Sequence, residues 1–309
     1  MVDVSVVIVS WNAKGHLLNC IQSLENARGE LSLEVIVVDN GSDDGGPTAV
    51  TQKHPWVRMI ETGQNLGFSR GNNLGMRHSA GRYVCLMNSD VIVKPGCLQS
   101  LVECMERFQD IGILGPRLTY LDGSYQPSSR WRPTLQGHLA RALWLDKLFP
   151  GLRWFPRSHL DLERLDQMKD VDVLVGCFWM VRREALDEVG GLDESFFIYA
   201  EDNDWCKRFW EAGWRVVYFP GAHAIHVGSA SSARDPMRFL REREKAQLQY
   251  WRKHKGRLGR LCYAGILLLG SSLRIPVWGM AYMVRPGARE SARQKLSQHV
   301  AGVKIAVGL

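Results

Sequence analysis

The feature that most constrains the fold is a series of short apolar runs that alternate with helical patterns in the N-terminal third of the chain. Val4–Val9 and Leu33–Val38 are continuous runs rich in Val and Ile, a pattern typical of strands buried on both faces of a sheet. Tyr83–Met87 is a similar run, and a shorter strand is expected over Val57–Glu61. Between the first two strands, apolar residues recur at helical spacing: Leu17, Leu18, Ile21 and Leu24. This alternation predicts an α/β fold with a mostly parallel sheet.

Polar residues follow three of these strands. Ser10-Trp11-Asn12 follows the first, DNGSDDGG (39–46) follows the second, and Asn88-Ser89-Asp90 follows Tyr83–Met87. Ligands of open α/β sheets bind beyond the carboxyl ends of the strands, so these clusters mark the expected binding edge. Asp90 is suited to a divalent cation, because hard cations prefer oxygen ligands. A strand-end cap is the alternative role for this residue.

Asp39 is placed where a carboxylate accepts hydrogen bonds from a nucleobase or a ribose. Two familiar phosphate-binding motifs are nevertheless absent from the sequence. The segment 12–15 before the first helix does not have the GxGxxG pattern, and no GxxxxGK[ST] loop occurs. A nucleotide bound at this edge would therefore need its diphosphate neutralised by a metal held at Asp90.

The region beyond residue 95 continues with further helices and strands around an irregular middle, 120–170. The middle contains Trp131, Trp144 and Trp154, for which stacking on a sugar and filling of a core both stay open. The other predicted elements are a helix over 96–109, a strand near Ile111–Leu114, strand character in Val171–Val181, a helix over Arg183–Gly190, an amphipathic helix within 196–214 and a strand over Val216–Phe219.

Glu201, Asp202 and Asp204 open the amphipathic helix, next to the aromatic residues Phe196, Phe197 and Tyr199. Carboxylates at the start of a helix are commonly explained by the helix dipole and capping. A partly desolvated carboxylate also has a raised pKa and can act as a general base toward a hydroxyl. His226 follows a strand and is either structural or a second ligand for a metal at Asp90.

Composition limits the class of protein and its surroundings. A hydrophobic content of 45% and a charged content of 23% are ordinary for a soluble globular protein. Seven cysteines without CxxC spacing indicate reduced thiols and a cytoplasmic location. Val4–Val9 is too short for the apolar core of a signal peptide, so a first strand is expected there.

The net charge of +7 is concentrated in one stretch, since residues 234–260 carry ten Lys/Arg against three Asp/Glu. This localisation beside apolar sequence disfavours nucleic acid as a partner. Two apolar runs follow, Leu261–Leu273 and Ile275–Val284, split by Arg274 and Pro276. Each is shorter than the roughly 18–20 residues that span a bilayer. Helices packed on the domain and attachment to the surface of an anionic membrane both stay open.

Seven blocks of the sequence together resemble the family 2 glycosyltransferases, and within them the bacterial rhamnosyltransferase-type enzymes. The resemblance covers residues 3–232 in the family's order. The blocks are SVVIVSWN (5–12), VIVVDNGSDDG (35–45), NLGFSRGNNLG (65–75), LMNSDVIV (86–93), GGLDESFFIYAEDNDWCKR (190–208), AGWRVVYFP (212–220) and HVGSAS (226–231).

The resemblance implies a GT-A fold, in which a Rossmann-like nucleotide-binding sheet is followed by an acceptor-binding half. Its expected extent is 1–232, divided into 1–115 for the nucleotide sugar and 116–232 for the acceptor, with 233–309 as a basic and apolar helical tail. The implied reaction is inverting transfer of a sugar from a nucleoside diphosphate donor, with dTDP-rhamnose favoured, and with Mg²⁺ or Mn²⁺ as cofactor. The acceptor is expected to be a saccharide or a lipid-linked saccharide, at the inner face of the plasma membrane.

The resemblance also implies a role for individual residues. On the donor side these are Asn12, Asp39, Asp43, Asn65, Gly67, Asn73 and Ser89. Asp90 and His226 correspond to the metal site, Asp202 to the catalytic base with Glu201 beside it, and Gly176, Trp179 and Arg208 to the acceptor side.

This chain departs from the family pattern at two places. Asn88 replaces the first acid of the DxD element, so one charged ligand is missing and the strictness of the metal requirement is in question. Cys177-Phe178-Trp179 is bulkier than the small residues usual there, which would narrow the acceptor pocket. Two other classes also stay open, a sugar-nucleotide nucleotidyltransferase and a non-catalytic carbohydrate-binding protein.

Overall fold

A mixed β-sheet organises the first of the two units into which the computed structural model divides the chain. The structure describes residues 2–149, 166–228 and 235–308. Unit 1 comprises Met1–Trp131, His159–Phe197 and Glu201–Arg234, and unit 2 comprises Arg132–Ser158, Ile198–Ala200 and Asp235–Leu309. The expected domain boundary at 232/233 lies outside the described residues, as does Trp154.

The main sheet has ten strands among the described residues, in the order β3-β2-β1-β4-β11-β6-β12-β5, with β7 beside β6 and β9 beside β12. A separate pair is formed by β8 and β10. The strands are β1 (Val4–Ser10), β2 (Leu33–Asp39), β3 (Arg58–Glu61), β4 (Tyr83–Asn88), β5 (Val91–Val93), β6 (Ile111–Thr119), β7 (Tyr125–Gln126), β8 (Ser129–Arg130), β9 (Lys169–Asp170), β10 (Val173–Leu174), β11 (Phe178–Arg182) and β12 (Arg215–His226).

The four strands β3, β2, β1 and β4 are parallel, as the apolar runs predict. Ser10 lies opposite Asp39, and Val9 lies opposite Asn88, so the polar residues after these strands meet at one edge of the sheet. The apolar residues of β1 and β2 are buried almost throughout. Burial on both faces explains why their sequences are continuous apolar runs and not alternating ones.

Strand β11 is antiparallel to both of its neighbours, β4 and β6. It pairs Phe178 with Met87, which places the residues just before it beside the end of β4. Strand β12 runs parallel to β6 and is longer than the predicted Val216–Phe219. A register shift between Phe219 and His223 accommodates Pro220 and Gly221, so these turn-forming residues make a bulge instead of ending the strand.

Six helices accompany this sheet within the described part of unit 1. They are α1 (Lys14–Ala27), α2 (Gly46–Lys53), α3 (Phe68–Arg77), α4 (Cys97–Arg107), α7 (Arg183–Val189) and α8 (Glu201–Glu211). Two helices of unit 2 lie between α4 and α7 in the chain. Helix α2 has no predicted counterpart, because Val50 is its only buried side chain with strong apolar character. Helix α8 is shorter than the stretch 196–214 that the pattern indicated. Tyr199 and Ala200, just before it, have φ angles of 73° and 63° and are not helical.

Unit 2 contains the helices α5 (Leu135–Ala142), α6 (Leu145–Leu148), α9 (Pro236–Val284) and α10 (Arg289–Ala306). Helix α9 is interrupted at Gly256, whose φ of 65° and ψ of −162° are not helical. Buried Tyr250, Trp251 and Tyr263 give this unit a core of its own.

Helix α9 corrects the prediction of two separate apolar runs, because it continues through Arg274 and Pro276. The Arg274 guanidinium donates to the carbonyls of Ala142 at 2.7 Å and Arg141 at 2.6 Å, and lies 4.1 Å from the Trp144 ring centroid. Because the Arg274 guanidinium is hydrogen-bonded in this way, the helix continues past it. Pro236–Val284 therefore contains an 18-residue window with a mean hydropathy of 1.4, which by length and composition alone is enough to cross a membrane.

Candidate active site

The first part of the candidate site is a pair of interlocked loops after β1 and β2. Asp39 is 3% exposed, and its carboxylate accepts bonds from the backbone N–H groups of Gly41 at 3.1 Å and Ser42 at 2.9 Å. The Asn12 side chain accepts from the Asp43 N–H at 2.9 Å, while the Asn12 N–H donates to the Ser42 hydroxyl at 2.9 Å. The structure thus brings three predicted residues, Asn12, Asp39 and Asp43, into one bonded group.

The loop before α3 joins this group to the approach to α8. The Asn65 side chain accepts from the Gly67 N–H at 2.9 Å, and the Gly67 carbonyl accepts from the Asn40 side chain at 3.0 Å. Gly67 has a φ of 85°, and a Cβ there would lie 2.5 Å from the Phe197 carbonyl oxygen. Glycine is therefore required by both backbone angle and space.

Asn73 lies further along α3 and points away from these loops. Its amide donates to the Leu192 carbonyl at 2.8 Å and to Glu194 at 3.0 Å, and accepts from the Leu192 N–H at 2.9 Å. Each of these bonds ties α3 to the loop at 190–194. These are packing contacts, and the expected role of Asn73 at the nucleotide stays a prediction.

Asp90 and His226 form the second part of the site, at the turn between β4 and β5. His226 Nε2 lies 3.2 Å from Asp90 Oδ1, and the Gly228 N–H donates to Asp90 Oδ2 at 3.1 Å. Burial alone would raise the pKa of Asp90, but the bonds from His226 and the Gly228 N–H outweigh it and lower that pKa. Asp90 is therefore an ionised carboxylate in a nearly buried position, and Ser89 lies half-buried beside it.

The surroundings of His226 fit a divalent cation. Its Nδ1 donates to Gln126 Oε1 at 3.0 Å, which leaves Nε2 facing Asp90 and the Asn88 amide at 3.3 Å. A second-shell bond of this kind orients a metal-binding imidazole. No group of three His, Cys, Asp or Glu that could hold a metal occurs in the part of the chain that the structure describes. A cation would thus take two ligands from the protein and the remainder from a diphosphate and water, as Mg²⁺ commonly does.

The acids at the start of α8 form the third part. Asp202 is 6% exposed, its Oδ1 accepts from the Asn203 N–H at 2.8 Å, and its Oδ2 is in an ion pair with Arg130. Glu201 is also buried, and its Oε2 has no hydrogen-bond partner. Burial, and then the charge of Asp202, raise the pKa of Glu201 to about 8. Glu201 therefore keeps its proton at neutral pH.

Cys177 links the second and third parts of the site. The Asn88 N–H donates to the Cys177 carbonyl at 3.0 Å, so this residue is fastened to the end of β4. Burial raises the pKa of the Cys177 thiol to about 12, and the charges of both Asp90 and Asp202 contribute to the rise. A Cβ at the neighbouring Gly176 would lie 3.7 Å from Glu201 Oε1, so the segment 176–177 joins the end of β4 to the start of α8.

Comparison with known proteins decides the family. Residues 5–190 match the family described as Glycosyl transferase family 2. The chain is 36% identical over 313 residues to the N-acetylglucosaminyl-diphospho-decaprenol L-rhamnosyltransferase of Mycobacterium tuberculosis, covering 96% of this chain and 98% of the relative. The chain belongs to the family 2 glycosyltransferases.

Other matches agree with this assignment. Rhamnosyltransferase WbbL of Escherichia coli is 26% identical over 234 residues, covering 72% of this chain and 83% of the relative. Residues 156–229 of this glycosyltransferase also match the family described as N-terminal domain of galactosyltransferase. The predicted enzyme class is confirmed, and the nucleotidyltransferase and non-catalytic alternatives are set aside.

Solved structures confirm the predicted GT-A fold. The mannosyltransferase PcManGT from Pyrobaculum calidifontis, in complex with GDP-Man and Mn²⁺, matches with a TM-score of 0.56 and 16% identity. The match covers 98% of this glycosyltransferase and 86% of that chain. S. aureus TarS matches with a TM-score of 0.51 and 15% identity, over 99% of this chain and 92% of that chain.

Two residues that were expected on the acceptor side serve the packing of the glycosyltransferase. Trp179 is fully buried, donates to the Leu174 carbonyl at 3.2 Å and packs on Trp205 with 5.2 Å between the ring centroids. Arg208 forms an ion pair with Asp204 at 3.0 Å and donates to two backbone carbonyls of the 189–191 segment.

Gly176 stays beside the acids of α8. A Cβ at Gly176 would lie 3.7 Å from Glu201 Oε1 and 3.0 Å from the Trp179 ring. The buried Trp179 ring therefore packs directly against this glycine. The bulk at 177–179 points into the core, and the expected narrowing of the acceptor pocket has no support from these contacts.

Sequence reasoning missed Arg130 and Gln126. Both lie in the middle segment 120–170, which contains many arginines and has no periodic pattern. Both residues reach the site only through the pairing of the short strands that carry them. Gln126 belongs to β7, next to β6, and Arg130 belongs to β8, which pairs with β10. No short motif carries that information.

The raised pKa of Glu201 gives a prediction about stability and pH. The folded protein keeps the Glu201 proton up to about pH 8, whereas the unfolded chain loses it near 4.5. The wild type should therefore lose stability as pH rises through this window, because the unfolded state releases the proton first. Glu201→Gln removes this loss, so its free energy of unfolding relative to wild type should increase with pH by up to about 1.4 kcal/mol per unit.

Urea unfolding of both proteins at pH 5 and at pH 8 measures this difference. Glu103→Gln, which makes the same change at an exposed position of α4, is the matched control. An equal offset between Glu201→Gln and wild type at both pH values would show that Glu201 is ionised in the folded enzyme.

Proposed function

We propose that this glycosyltransferase moves a rhamnosyl group from a nucleoside diphosphate donor, dTDP-rhamnose, to a hydroxyl of a lipid-linked saccharide, with inversion at the anomeric carbon. The observation that carries the proposal is that the segment 176–177 connects the two acidic groups at the edge of the sheet. The Cys177 carbonyl accepts from the Asn88 N–H, two residues before Asp90, and a Cβ at Gly176 would lie 3.7 Å from Glu201, which precedes Asp202. The name of the M. tuberculosis relative, which covers nearly the whole chain, supports the sugar and the acceptor class.

The donor is bound at the carboxyl ends of β1, β2 and β4. The Asp39 group and the Gly67 loop bind the nucleoside, since both lie at this edge and are rigidly bonded to each other. The Gly67 loop also holds Phe197, because the Phe68 N–H donates to the Phe197 carbonyl at 2.7 Å. Donor binding and the start of α8 are therefore connected through one loop.

Asp90 and His226 would hold the divalent cation, Mg²⁺ or Mn²⁺, and Asn88 would contribute an amide instead of a second charge. When bound, such a cation offsets the negative charge that develops on the diphosphate leaving group. The complex of PcManGT with Mn²⁺ shows that a GT-A enzyme of this shape takes such an ion.

Asp202 is the base that accepts the proton of the acceptor hydroxyl as its oxygen attacks the anomeric carbon. Glu201 beside it is protonated, because burial raises its pKa to about 8, and so it cannot accept that proton. The diphosphate leaves without protonation, so the second carboxylic acid that a glycoside hydrolase uses is not needed.

Asp202→Asn tests the base directly. The variant should bind dTDP-rhamnose as the wild type does, while transfer falls by roughly a hundredfold or more, the size of a general-base contribution. Transfer is measured with labelled dTDP-rhamnose and an N-acetylglucosaminyl diphospholipid, and donor binding by calorimetry. Full transfer activity in this variant would remove Asp202 from the role.

Asp90→Ala tests the cation site through binding. Calorimetric titration should show that the wild type binds dTDP more tightly with Mn²⁺ than without it. In Asp90→Ala this gain in affinity should be at least about tenfold smaller. Asp110→Ala, at an exposed acid of unit 1, is the control and should keep the gain. If Asp90→Ala kept the gain in dTDP affinity with Mn²⁺, the cation would have to bind elsewhere.

The tail attaches the enzyme to the inner face of the plasma membrane. Leu258, Leu269 and Met280 are 71%, 41% and 64% exposed, and their spacing of eleven residues puts them on one face of α9. Arg257 and Arg260 lie on the other faces of the same helix. An exposed apolar face with flanking cations suits an anionic bilayer surface.

Replacing Leu258, Leu269 and Met280 together by Asp should reduce sedimentation with phosphatidylglycerol vesicles by about tenfold or more, since buried apolar area contributes to such binding. Leu148→Asp changes a side chain of unit 2 that is 66% exposed on α6, and it should leave sedimentation unchanged. Unchanged sedimentation of the triple variant, with its helical content intact, would exclude α9 as the attachment.

A further inference from the structure

The contact between Arg130 and Asp202 covers the proposed base. Arg130 Nη2 pairs with Asp202 Oδ2 and lies 3.5 Å from Asn203 Oδ1. The Arg130 side chain is 31% exposed, whereas the Asp202 side chain is 9% exposed. The guanidinium therefore lies on the solvent side of a carboxylate that has little exposure of its own.

The other oxygen of Asp202 is also engaged. Oδ1 accepts from the Asn203 N–H at 2.8 Å and from the Asn203 side-chain amide at 3.0 Å. These bonds come from α8 itself and move only with the helix. Oδ2 is the oxygen whose partner belongs to a different element, so a substrate hydroxyl can reach the carboxylate by displacing Arg130 alone.

The strand that carries Arg130 is short and is exposed at one end. Strand β8 has two residues, which pair with Val173 and Leu174 of β10, and a further backbone bond joins Val175 to Ser128 at 2.8 Å. Ser128 and Ser129 are buried, whereas Trp131, after Arg130, is 46% exposed. A shift of the end at Arg130 would therefore break few bonds of this two-stranded sheet.

The charges around Asp202 make this contact chemically important. Glu201 adjoins Asp202 and is neutral at pH 7. Cys177 from the segment before β11 and Cys206 on α8 are neutral too, since burial raises the pKa of each thiol to about 12. Among the described residues, Arg130 is the cation in contact with Asp202, so the access of other molecules to this carboxylate depends on that contact.

We propose that Arg130 is a positioning residue that masks Asp202 until the acceptor binds. Without the acceptor, the ion pair keeps Asp202 from acting on water. When the acceptor is bound, its hydroxyl replaces the guanidinium at Oδ2, and Asp202 takes the hydroxyl proton. The oxygen then forms the bond to the anomeric carbon, and the electron pair of the broken C–O bond leaves with the diphosphate. This inference rests on the proposed function, in which Asp202 is the base.

The consequence is a preference for transfer over hydrolysis of the donor. Water competes with the acceptor hydroxyl for the same anomeric carbon, and a permanently unmasked base would serve both nucleophiles. Masking by Arg130 makes the base available only to a molecule large enough to displace a side chain. Removal of the guanidinium should therefore affect hydrolysis more than transfer.

Arg130→Gln tests the masking with two readouts, both measured on the full-length enzyme with labelled dTDP-rhamnose. Hydrolysis without acceptor, divided by transfer to an N-acetylglucosaminyl diphospholipid, should rise about tenfold. The rate of hydrolysis itself should also rise, because water then reaches Oδ2 without displacing a side chain. A role in folding alone would raise neither quantity.

Two further variants sharpen the test. Arg215→Gln removes an equally exposed arginine, at 30%, from its pairs with Asp110 and Asp170, and should leave both readouts at wild-type values. Arg130→Lys keeps the positive charge beside Asp202 and should keep the fold. Its hydrolysis ratio should still rise a few-fold, because an ammonium cannot reproduce the planar guanidinium contact.

The outcomes separate this inference from the proposed function. An unchanged ratio and an unchanged hydrolysis rate in Arg130→Gln, together with an inactive Asp202→Asn, would overturn the masking role and leave the base in place. A wild-type ratio in Arg130→Lys would overturn it as well, even if Arg130→Gln did not fold. Full transfer by Asp202→Asn would instead remove the base and, with it, the reason for a mask.

Discussion

The site depends on the antiparallel insertion of β11 between β4 and β6. This pairing, together with the bond from the Asn88 N–H to the Cys177 carbonyl, fastens the segment 176–178 to the end of a parallel strand. The parallel half of the sheet then supplies Asp39 and Asp90, while the segment beside Cys177 meets Glu201 and Asp202 of α8. A slip of one residue in β11 would turn its side chains to the opposite face and separate these groups.

The same arrangement explains how several carboxyls are buried near one another. A buried charge is costly unless it is paired and hydrogen-bonded. Asp39 is satisfied by backbone N–H groups, Asp90 by His226 and the Gly228 N–H, and Asp202 by Asn203 and Arg130. Glu201 lacks such partners at Oε2 and keeps its proton instead. Each acid is thus stabilised in a different way, and these differences are the basis for the roles in the proposed mechanism.

Patterns that depend on neighbours in the chain could be read from the sequence. The buried runs of β1, β2 and β4 and the polar residues after them follow from local periodicity, and the structure has them at one edge of the sheet. The extension of β12 past Pro220 depends on pairing with β6 and β5, which local turn signals cannot report. The continuity of α9 through Arg274 likewise depends on carbonyls of α5 more than a hundred residues away.

The residues of the site also differ in whether the sequence alone could identify them. Asp39, Asp90 and Asp202 stand in recognisable blocks, so the family resemblance could point to them. Asn73, Trp179 and Arg208 stand in such blocks too, but their contacts serve packing, which a motif does not distinguish from binding. Arg130 has no motif at all, and only the pairing of β8 with β10 brings it to Asp202.

A crystal structure of the full-length protein with dTDP and Mn²⁺ tests the central claim most directly. The account predicts the base against the Asp39 group, the ion bonded to Asp90 at roughly 2.0–2.2 Å, the usual range for small divalent cations on oxygen, and the diphosphate on the side of the ion that faces Asp202. A nucleotide bound away from this edge, or an ion held by residues other than Asp90, would contradict it.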